Sequence, residues 1–311
     1  MLLYLMVISS FVLGFVLRRV RILGHNVADV LTPVLNGWII NLALPALILT
    51  TVSSLEFKAD FLFALLAPWV LLLLVYVVVL LLARRLGWSR EVTIVVVLLL
   101  SLGNTAFLGV PLIQKLMGET ASAVAIVYDQ LGSFLILSFI ATALIASVRV
   151  GQQQTLGRRL VEPLRFPPFL ALLLAVLLSL FPELKVGEVW PALEAVLHAI
   201  SVTLLPLAMV VIGLRLQLKF EAVNMSPLLV ILVGKLVVIP ALVFAVARGI
   251  DIAPEVAAPS VMQAAMPPMV TGVILCLRAR VAADFAITAL GLGTIFSALT
   301  LPLWFLLLQL Y

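Results

Sequence analysis

The chain has 311 residues, of which 65% are hydrophobic and only 11% are charged. A soluble domain keeps about a quarter of its residues charged, so this composition excludes a soluble globular protein and indicates a surface that faces lipid. The net charge of +5 does not indicate a nucleic-acid partner, because the basic residues lie in short segments between apolar runs. A single cysteine, Cys276, excludes a disulfide framework and a Cys/His metal site, and we expect no metal or cofactor.

Uninterrupted apolar runs of about 20 residues cross the hydrocarbon core of a bilayer as α-helices. Ten such runs follow one another along this chain, separated by segments rich in charge, glycine or proline. Their bounds are roughly 2–17, 26–50, 60–83, 92–117, 120–148, 166–181, 190–213, 226–248, 255–279 and 282–310. The sequence therefore predicts an all-α integral membrane protein with ten transmembrane helices.

The basic residues between these runs alternate in number. Fourteen lysines and arginines lie in the first, third, fifth, seventh and ninth loops, and four lie in the even loops. Because cytoplasmic loops carry the excess of Lys and Arg, we predict that the odd loops are cytoplasmic, including Arg158. Both termini then lie outside the cytoplasm, in a multi-pass protein of the inner cell membrane.

The longest loop, 149–165, divides the chain into two sets of five helices, 1–148 and 166–311. An odd number of helices in each half turns the second half upside down relative to the first, and such inverted repeats are common in secondary transporters. A short sequence echo agrees. Leu44-Pro45 precedes Lys58 by the same 13 residues by which Leu205-Pro206 precedes Lys219.

Two of the predicted helices carry prolines in the middle of the membrane. The fourth contains the segment from Gly103 to Pro111, and the ninth contains the segment from Gln263 to Pro268. Proline removes an N–H donor and clashes with the preceding turn, so each helix should break or unwind. Matched broken helices in two repeats point to a binding site, since unwound backbone is tolerated in a bilayer only where it lines a cavity or is buried in protein. Two ordinary proline kinks are the alternative interpretation.

The polar groups beside these breaks define a candidate site for an anion. A break leaves a helix N-terminus with free N–H groups and partial positive charge, which favours a carboxylate. Asn41, which precedes Pro45 in the second helix, is a further candidate, although an asparagine there also serves as an interhelical hydrogen-bond partner. The candidate substrate-binding residues are Asn104, Thr105, Pro111, Gln263, Pro267, Pro268 and Asn41.

Two ionisable residues lie deep in predicted helices. Asp129 is about ten residues into the fifth run and Lys235 about nine into the eighth, which places both near the midplane at about 1.5 Å per residue. Isolated charges there cost about 2.5–3.5 kcal/mol, so they usually face the bundle interior and pair. We predict that Asp129 and Lys235 interact and act in coupling or gating, with protonation of Asp129 as part of the transport cycle. A static structural ion pair is the alternative.

These motifs resemble the auxin efflux carrier family, whose bacterial members carry small organic acids. The resembling residues are Asn41 to Pro45, Gly103-Asn104-Thr105 through Gly109-Val110-Pro111, and Ala265-Met266-Pro267-Pro268. The resemblance covers the full length of the chain. The family is similar in fold to bile-acid symporters and to sodium/proton antiporters of the NhaA type, in which proline-bearing helices cross at the centre.

The resemblance implies that the ten helices form two structural parts with different functions. Helices 1, 2, 6 and 7 would form a scaffold, and helices 3–5 and 8–10 would form a moving transport domain whose fourth and ninth helices cross. The segment 149–165 would be a short cytoplasmic linker rather than a regulatory domain. We expect a homodimer that forms through the scaffold helices.

The leading functional interpretation is a secondary carrier of a small organic anion, such as a carboxylate or an auxin-like acid, coupled to protons or to the membrane potential. A sodium- or proton-coupled symporter or antiporter of the same fold, and a non-transporting membrane receptor, are alternatives. An enzyme is not expected, because the sequence contains no His-Glu-x-x-His, no Gly-x-Ser-x-Gly and no paired deep carboxylates.

Overall fold

A computed structural model of the chain describes residues 2–22, 25–54, 59–148, 166–185, 189–215 and 225–310. The predicted linker 149–165, with Arg158, lies outside the described residues. So do Lys58 and Lys219, the two lysines of the sequence echo.

The described residues are almost entirely helical. A two-residue antiparallel pair, β1 (Arg21–Ile22) and β2 (His25–Asn26), joins the first two long helical segments. The α-helices are α1 (Leu2–Leu17), α2 (Val27–Trp38), α3 (Leu44–Val52), α4 (Phe61–Leu86), α5 (Arg90–Ser101), α6 (Val110–Met117), α7 (Glu119–Val127), α8 (Thr142–Ser147), α9 (Pro167–Leu180), α10 (Val189–Ser201), α11 (Leu204–Arg215), α12 (Met225–Val233), α13 (Ile239–Gly249), α14 (Pro254–Ala264), α15 (Val270–Ala279) and α16 (Ala283–Gln309).

Every predicted transmembrane run is helical, but not every run is one long helix. Six described helices are long and apolar enough to cross a membrane: Val27–Val52, Phe61–Leu86, Glu119–Ser147, Trp190–Arg215, Met225–Gly249 and Ala283–Gln309. The other four runs are short helices or pairs of short helices. The described part of the chain is thus almost entirely helical and has several helices suited to crossing a membrane, and the count of ten spans in two inverted repeats stays a prediction.

Several long helices widen locally into π-helical turns, and three of these turns precede a proline by two residues. They are Ile39–Ala43 before Pro45, Thr105–Gly109 before Pro111, and Gly234–Val238 before Pro240. Proline clashes with the carbonyl four residues earlier, and a wider turn moves that carbonyl aside. The carbonyl of Leu236, four residues before Pro240, instead accepts a hydrogen bond from the indole N–H of Trp304, at 2.9 Å. These helices therefore continue through their prolines.

The described residues divide into two compact units. One lies within Met1–Phe57, Ala106–Ala123 and Leu164–Leu216, and the other lies within Lys58–Thr105, Val124–Pro163 and Gln217–Tyr311. In the first unit, α1 and α11 pack closely through two small residues, since a Cβ at Gly14 or Gly213 would lie 2.1 or 2.3 Å from a backbone oxygen of the other helix. We call the second unit the break unit, because both helix interruptions described below lie in it.

Close packing within the break unit also depends on glycine. A Cβ on Gly234 would lie 2.6 Å from Cδ1 of Leu100, whereas a Cβ on Gly249, at the end of the same helical segment, would meet nothing within 4 Å. We expect Gly234→Ala to lower the free energy of unfolding by about 1 kcal/mol, because the side chain of Leu100 has to move aside in a packed interface. Gly249→Ala is the matched control and should cost nothing measurable. Equal unfolding midpoints for both variants in detergent would contradict this packing.

Candidate functional site

The fourth and ninth predicted helices are both interrupted, and their interruptions pair with each other. α5 ends at Ser101 and α14 ends at Ala264, and the non-helical stretches that follow lie antiparallel, with Gly103 opposite Pro268. The N–H of Asn104 donates to the carbonyl of Pro267 at 2.8 Å, and the N–H of Met269 donates to the carbonyl of Leu102 at 3.1 Å. Each break therefore satisfies backbone groups that the other leaves free, which is what non-helical backbone at membrane depth requires. We call these two stretches, 102–104 and 265–269, the paired break.

The prolines take different places in the two interrupted helices. Pro267 and Pro268 lie within the ninth interruption and are buried, as predicted. Pro111 does not cause the fourth interruption, which comes eight residues earlier, at Gly103. Pro111 lies instead in the first turn of α6, directly after a π-helical turn that makes room for its ring. It also falls in the first unit rather than in the break unit.

Two glycines allow the paired break to close. A Cβ on Gly103 would lie 3.2 Å from Nζ of Lys235 and 3.2 Å from Cβ of Met266, and a Cβ on Gly293 would lie 2.5 Å from Cδ of Pro268. Gly103 belongs to the motif identified in the sequence. Gly293, in α16, was missed, although Gly291-Leu292-Gly293 in a transmembrane helix is a small-residue signal of close packing.

The carboxylate of Asp129 is held by two neutral donors. Asp129 is 1% exposed and lies in a π-helical turn, Tyr128–Ser133. Its Oδ1 accepts from the hydroxyl of Thr105 at 2.5 Å, and its Oδ2 accepts from Nε2 of Gln130 at 2.6 Å. Such charge-assisted hydrogen bonds are short and about twice as strong as neutral ones. Thr105 follows the interruption directly, so Asp129 is tied to the paired break.

Gln263 links α7 to the paired break. Its side chain is fully buried, and its Nε2 donates to the carbonyl of Ala125 at 2.9 Å and to that of Thr105 at 3.4 Å. The amide thus satisfies backbone carbonyls at and near the interruption. Gln130, the glutamine that contacts Asp129, is not among the residues predicted from the sequence, although it is a polar residue inside an apolar run.

Lys235 lies at the same break and is 1% exposed. It occupies the π-helical turn Gly234–Val238, and its ammonium lies against the backbone of Gly103. Among the described residues no ion pair joins Lys235 to Asp129, whose oxygens accept from Thr105 and Gln130 instead. A role for either residue in coupling or gating stays a prediction.

The two candidate asparagines, Asn41 and Asn104, lie in different units of the structure. Asn104 is 4% exposed, and its backbone N–H forms part of the paired break. Asn41 belongs to the first unit, where its exposed Nδ2 donates to the carbonyl of Gly37, one turn earlier, at 2.8 Å. The structure therefore gives Asn41 a local helical partner, while the break unit brings together Asn104, Thr105, Gln263, Pro267 and Pro268 with Asp129 and Lys235.

Comparison with known proteins yields one family and two relatives. The model of a family described as membrane transport protein matches residues 1–305. An uncharacterized transporter of Methanothermobacter thermautotrophicus is 25% identical over 307 residues, which covers 96% of this chain and 95% of the relative. Uncharacterized transporter MJ1031 of Methanocaldococcus jannaschii is 26% identical over 278 residues, which covers 87% of this chain and 88% of the relative.

Proposed function

Since the chain belongs to the membrane transport protein family, we propose that it is a secondary active transporter that carries a small organic anion across the inner cell membrane. The family match confirms the resemblance to the auxin efflux carrier family at this level. The resemblance is to bacterial members, whereas the two relatives are archaeal. Family membership implies a transporter rather than an enzyme, and the substrate class and mechanism below are proposals.

The observation that carries the proposal is the paired break, with its buried polar side chains. Regular helices present no free backbone groups in a bilayer, so two interrupted helices need a reason to be retained. The break unit surrounds its interruption with Asn104, Gln263 and the ammonium of Lys235. The amide of Asn104, the cation of Lys235 and the N-terminus of α15, which has no side-chain cap, suit a carboxylate. Gln263 holds the backbone beside them in place.

Transport requires the site to open to each side of the membrane in turn, and we propose an elevator-like movement. Helices 3–5 and 8–10 would move against scaffold helices 1, 2, 6 and 7, through which two copies would form a homodimer. The two compact units support this division, since the break unit holds most of the proposed moving helices. Residues 106–123 depart from it, because they fall in the first unit.

The proposed direction of insertion has a simple test. Ten spans as inverted repeats, with both termini outside, place Arg158 in the cytoplasm, because cations are concentrated in the odd loops. Arg158→Cys in a Cys276→Ala background should react with an impermeant maleimide only after the cells are opened. Labelling of position 158 in intact cells would refute this topology.

A counterflow screen tests the transport function. Proteoliposomes preloaded with one mono- or dicarboxylate should accumulate the same labelled acid from outside, and empty liposomes should not. Asn104→Ala and Gln263→Ala should each weaken binding by about 1–3 kcal/mol, since each removes a buried hydrogen-bonding partner. Gln309→Leu, an exposed glutamine at the end of α16, is the control. Unchanged apparent affinity in both site variants, with normal elution of the protein, would remove the paired break as the site.

A receptor without transport activity would remain silent in this assay. A sodium- or proton-coupled exchanger of the same fold would show flux that depends on the cation, and the surroundings of Asp129 favour a cation at that position.

A further inference from the structure

Two buried amide oxygens, one on a side chain that contacts Asp129 and one on a side chain that contacts the carbonyl of Thr105, have no hydrogen-bond donor among the described residues. They are Oε1 of Gln130 and Oε1 of Gln263, and both side chains are at most 1% exposed. A buried polar atom without a partner costs about 1–3 kcal/mol. Each of the two oxygens is therefore stabilised by any partner that it gains, and that partner must be a hydrogen-bond donor or a cation.

The two oxygens belong to one connected group of acceptors. Gln130 contacts Asp129 through its Nε2, and Gln263 contacts the carbonyl of Thr105 through its Nε2. Thr105 in turn contacts Asp129 through its hydroxyl. Because the oxygen and nitrogen of an amide are bonded to the same carbon atom, each unpartnered oxygen belongs to a side chain that is anchored at Asp129 or at the carbonyl of Thr105. The cluster offers a carboxylate, two amide oxygens, a hydroxyl and a backbone carbonyl.

We propose that this cluster binds one Na⁺, with oxygen ligands from Asp129, Gln130, Gln263 and Thr105. We call it the cation cluster. It holds one formal negative charge, which suits a monovalent ion, whereas Ca²⁺ sites use several carboxylates. Softer transition metals prefer imidazole and thiolate ligands, and no group of three or more His, Cys, Asp or Glu side chains that could hold a metal is found in the described part of the chain. Broken helices whose unwound carbonyls coordinate Na⁺ are an established arrangement in transporters.

The formal charges at the site indicate what the bound Na⁺ does during transport. This part of the inference rests on the proposed function. Among the described residues the buried charged side chains are Asp129 and Lys235, whose formal charges cancel. An organic anion that entered alone would leave one uncompensated negative charge in a medium of low dielectric constant, which is strongly unfavourable. Na⁺ in the cation cluster would keep the loaded site neutral. The ion and the anion would therefore move together, as in a symporter.

The direct test is binding of ²²Na⁺ to the full-length protein in detergent, at constant ionic strength with choline as the replacement cation. We expect saturable binding of one ion per chain. Asp129→Asn should abolish it, because the formal charge is lost. Gln130→Leu and Gln263→Leu should each weaken it at least about tenfold, the scale of the loss when a supporting group of a metal site is removed.

A matched control and a second measurement keep this test decisive. Ser101 also has a buried oxygen without a described partner, but no described contact joins it to the cation cluster, so Ser101→Ala should bind ²²Na⁺ as the wild type does. If a cluster variant fails to fold, Na⁺ should still raise the unfolding temperature of the wild type, because a ligand of the native state stabilises it, and K⁺ should not. Absence of saturable ²²Na⁺ binding, equal protection by K⁺, or normal binding in Asp129→Asn would each overturn the proposal.

Counterflow and ²²Na⁺ binding, measured on the same protein, distinguish this inference from the proposed function. Carboxylate counterflow that runs equally fast in Na⁺ and in choline would overturn the cation cluster and leave the carrier intact. Saturable ²²Na⁺ binding that Asp129→Asn abolishes, without counterflow of any acid, would support the cation cluster and refute carriage of organic anions.

Discussion

Gly293→Ala is expected to lower the free energy of unfolding by about 3 kcal/mol and to abolish counterflow. The new Cβ would lie 2.5 Å from Cδ and 3.0 Å from Cγ of Pro268. Overpacking typically costs 1–3 kcal/mol, and this contact is with a proline ring that is fixed in the paired break. The chain can relieve the clash only by moving Pro268 away from Gly103, which disturbs the proposed site.

A second substitution tests the physical reason. Pro268→Ala removes Cγ and Cδ, the two ring atoms that the new Cβ at position 293 would meet. The double variant Pro268→Ala, Gly293→Ala should therefore lose less stability than the sum of the two single losses, as residues in direct contact do. Additive losses would show that Gly293 matters for a reason other than its contact with Pro268. Gly249→Ala is the neutral control in the same unit.

Thr105→Val is expected to cost about 3 kcal/mol, and most of that cost should depend on the charge of Asp129. Valine keeps the shape but removes the hydroxyl that donates to Oδ1 at 2.5 Å. The carboxylate is fully buried, and an unsatisfied charged group costs more than a neutral one. In an Asp129→Asn background the acceptor is neutral, so the same substitution should cost about 1 kcal/mol. Reversible unfolding of the four proteins gives the coupling directly, and an equal cost in both backgrounds would contradict the hydrogen bond.

A second double-mutant cycle concerns Asp129 and Lys235. An ion pair would make the double variant Asp129→Asn, Lys235→Met less damaging than the two single effects summed. The structure holds Asp129 by Thr105 and Gln130 instead, so we expect only the coupling of two compensating buried charges that do not touch, which is smaller than that of an ion pair in contact. A strong favourable coupling would restore the direct pairing that the depth of the two residues suggests.

Local chemistry explains why much of this fold could be predicted. Apolar runs between charged segments locate the helical segments, because the length of an apolar run and the charge of a loop can both be read directly from the local sequence. Proline and glycine likewise located both interruptions to within a few residues. The exact position of the fourth interruption was not predictable from proline alone, because a π-helical turn before Pro111 lets the helix continue. The backbone opens at Gly103 instead, where Pro268 approaches.

The contents of the site depend on which distant segments meet. Asn104, Thr105 and Gln263 stand out in the sequence as polar residues beside prolines, and the structure brings them into one unit with Asp129. The sequence does not show that Gln130 turns back onto Asp129, or that Gln263 reaches the carbonyl of Ala125. Nor does it show that Gly293 lies against Pro268. Each of these contacts depends on helix rotation and packing, which hydropathy does not encode.

Access to the paired break from both sides of the membrane is the central claim, and the chain is well suited to test it. Cys276 is the single cysteine and is fully buried, so Cys276→Ala provides a cysteine-free background. Asn104→Cys in that background should react with an impermeant maleimide added to either face of sealed, oriented proteoliposomes. A transported acid, at a concentration high enough to offset the weaker binding expected without Asn104, should slow both reactions. Protection of position 104 from one face at all times, with the protein active in counterflow, would contradict alternating access at this site.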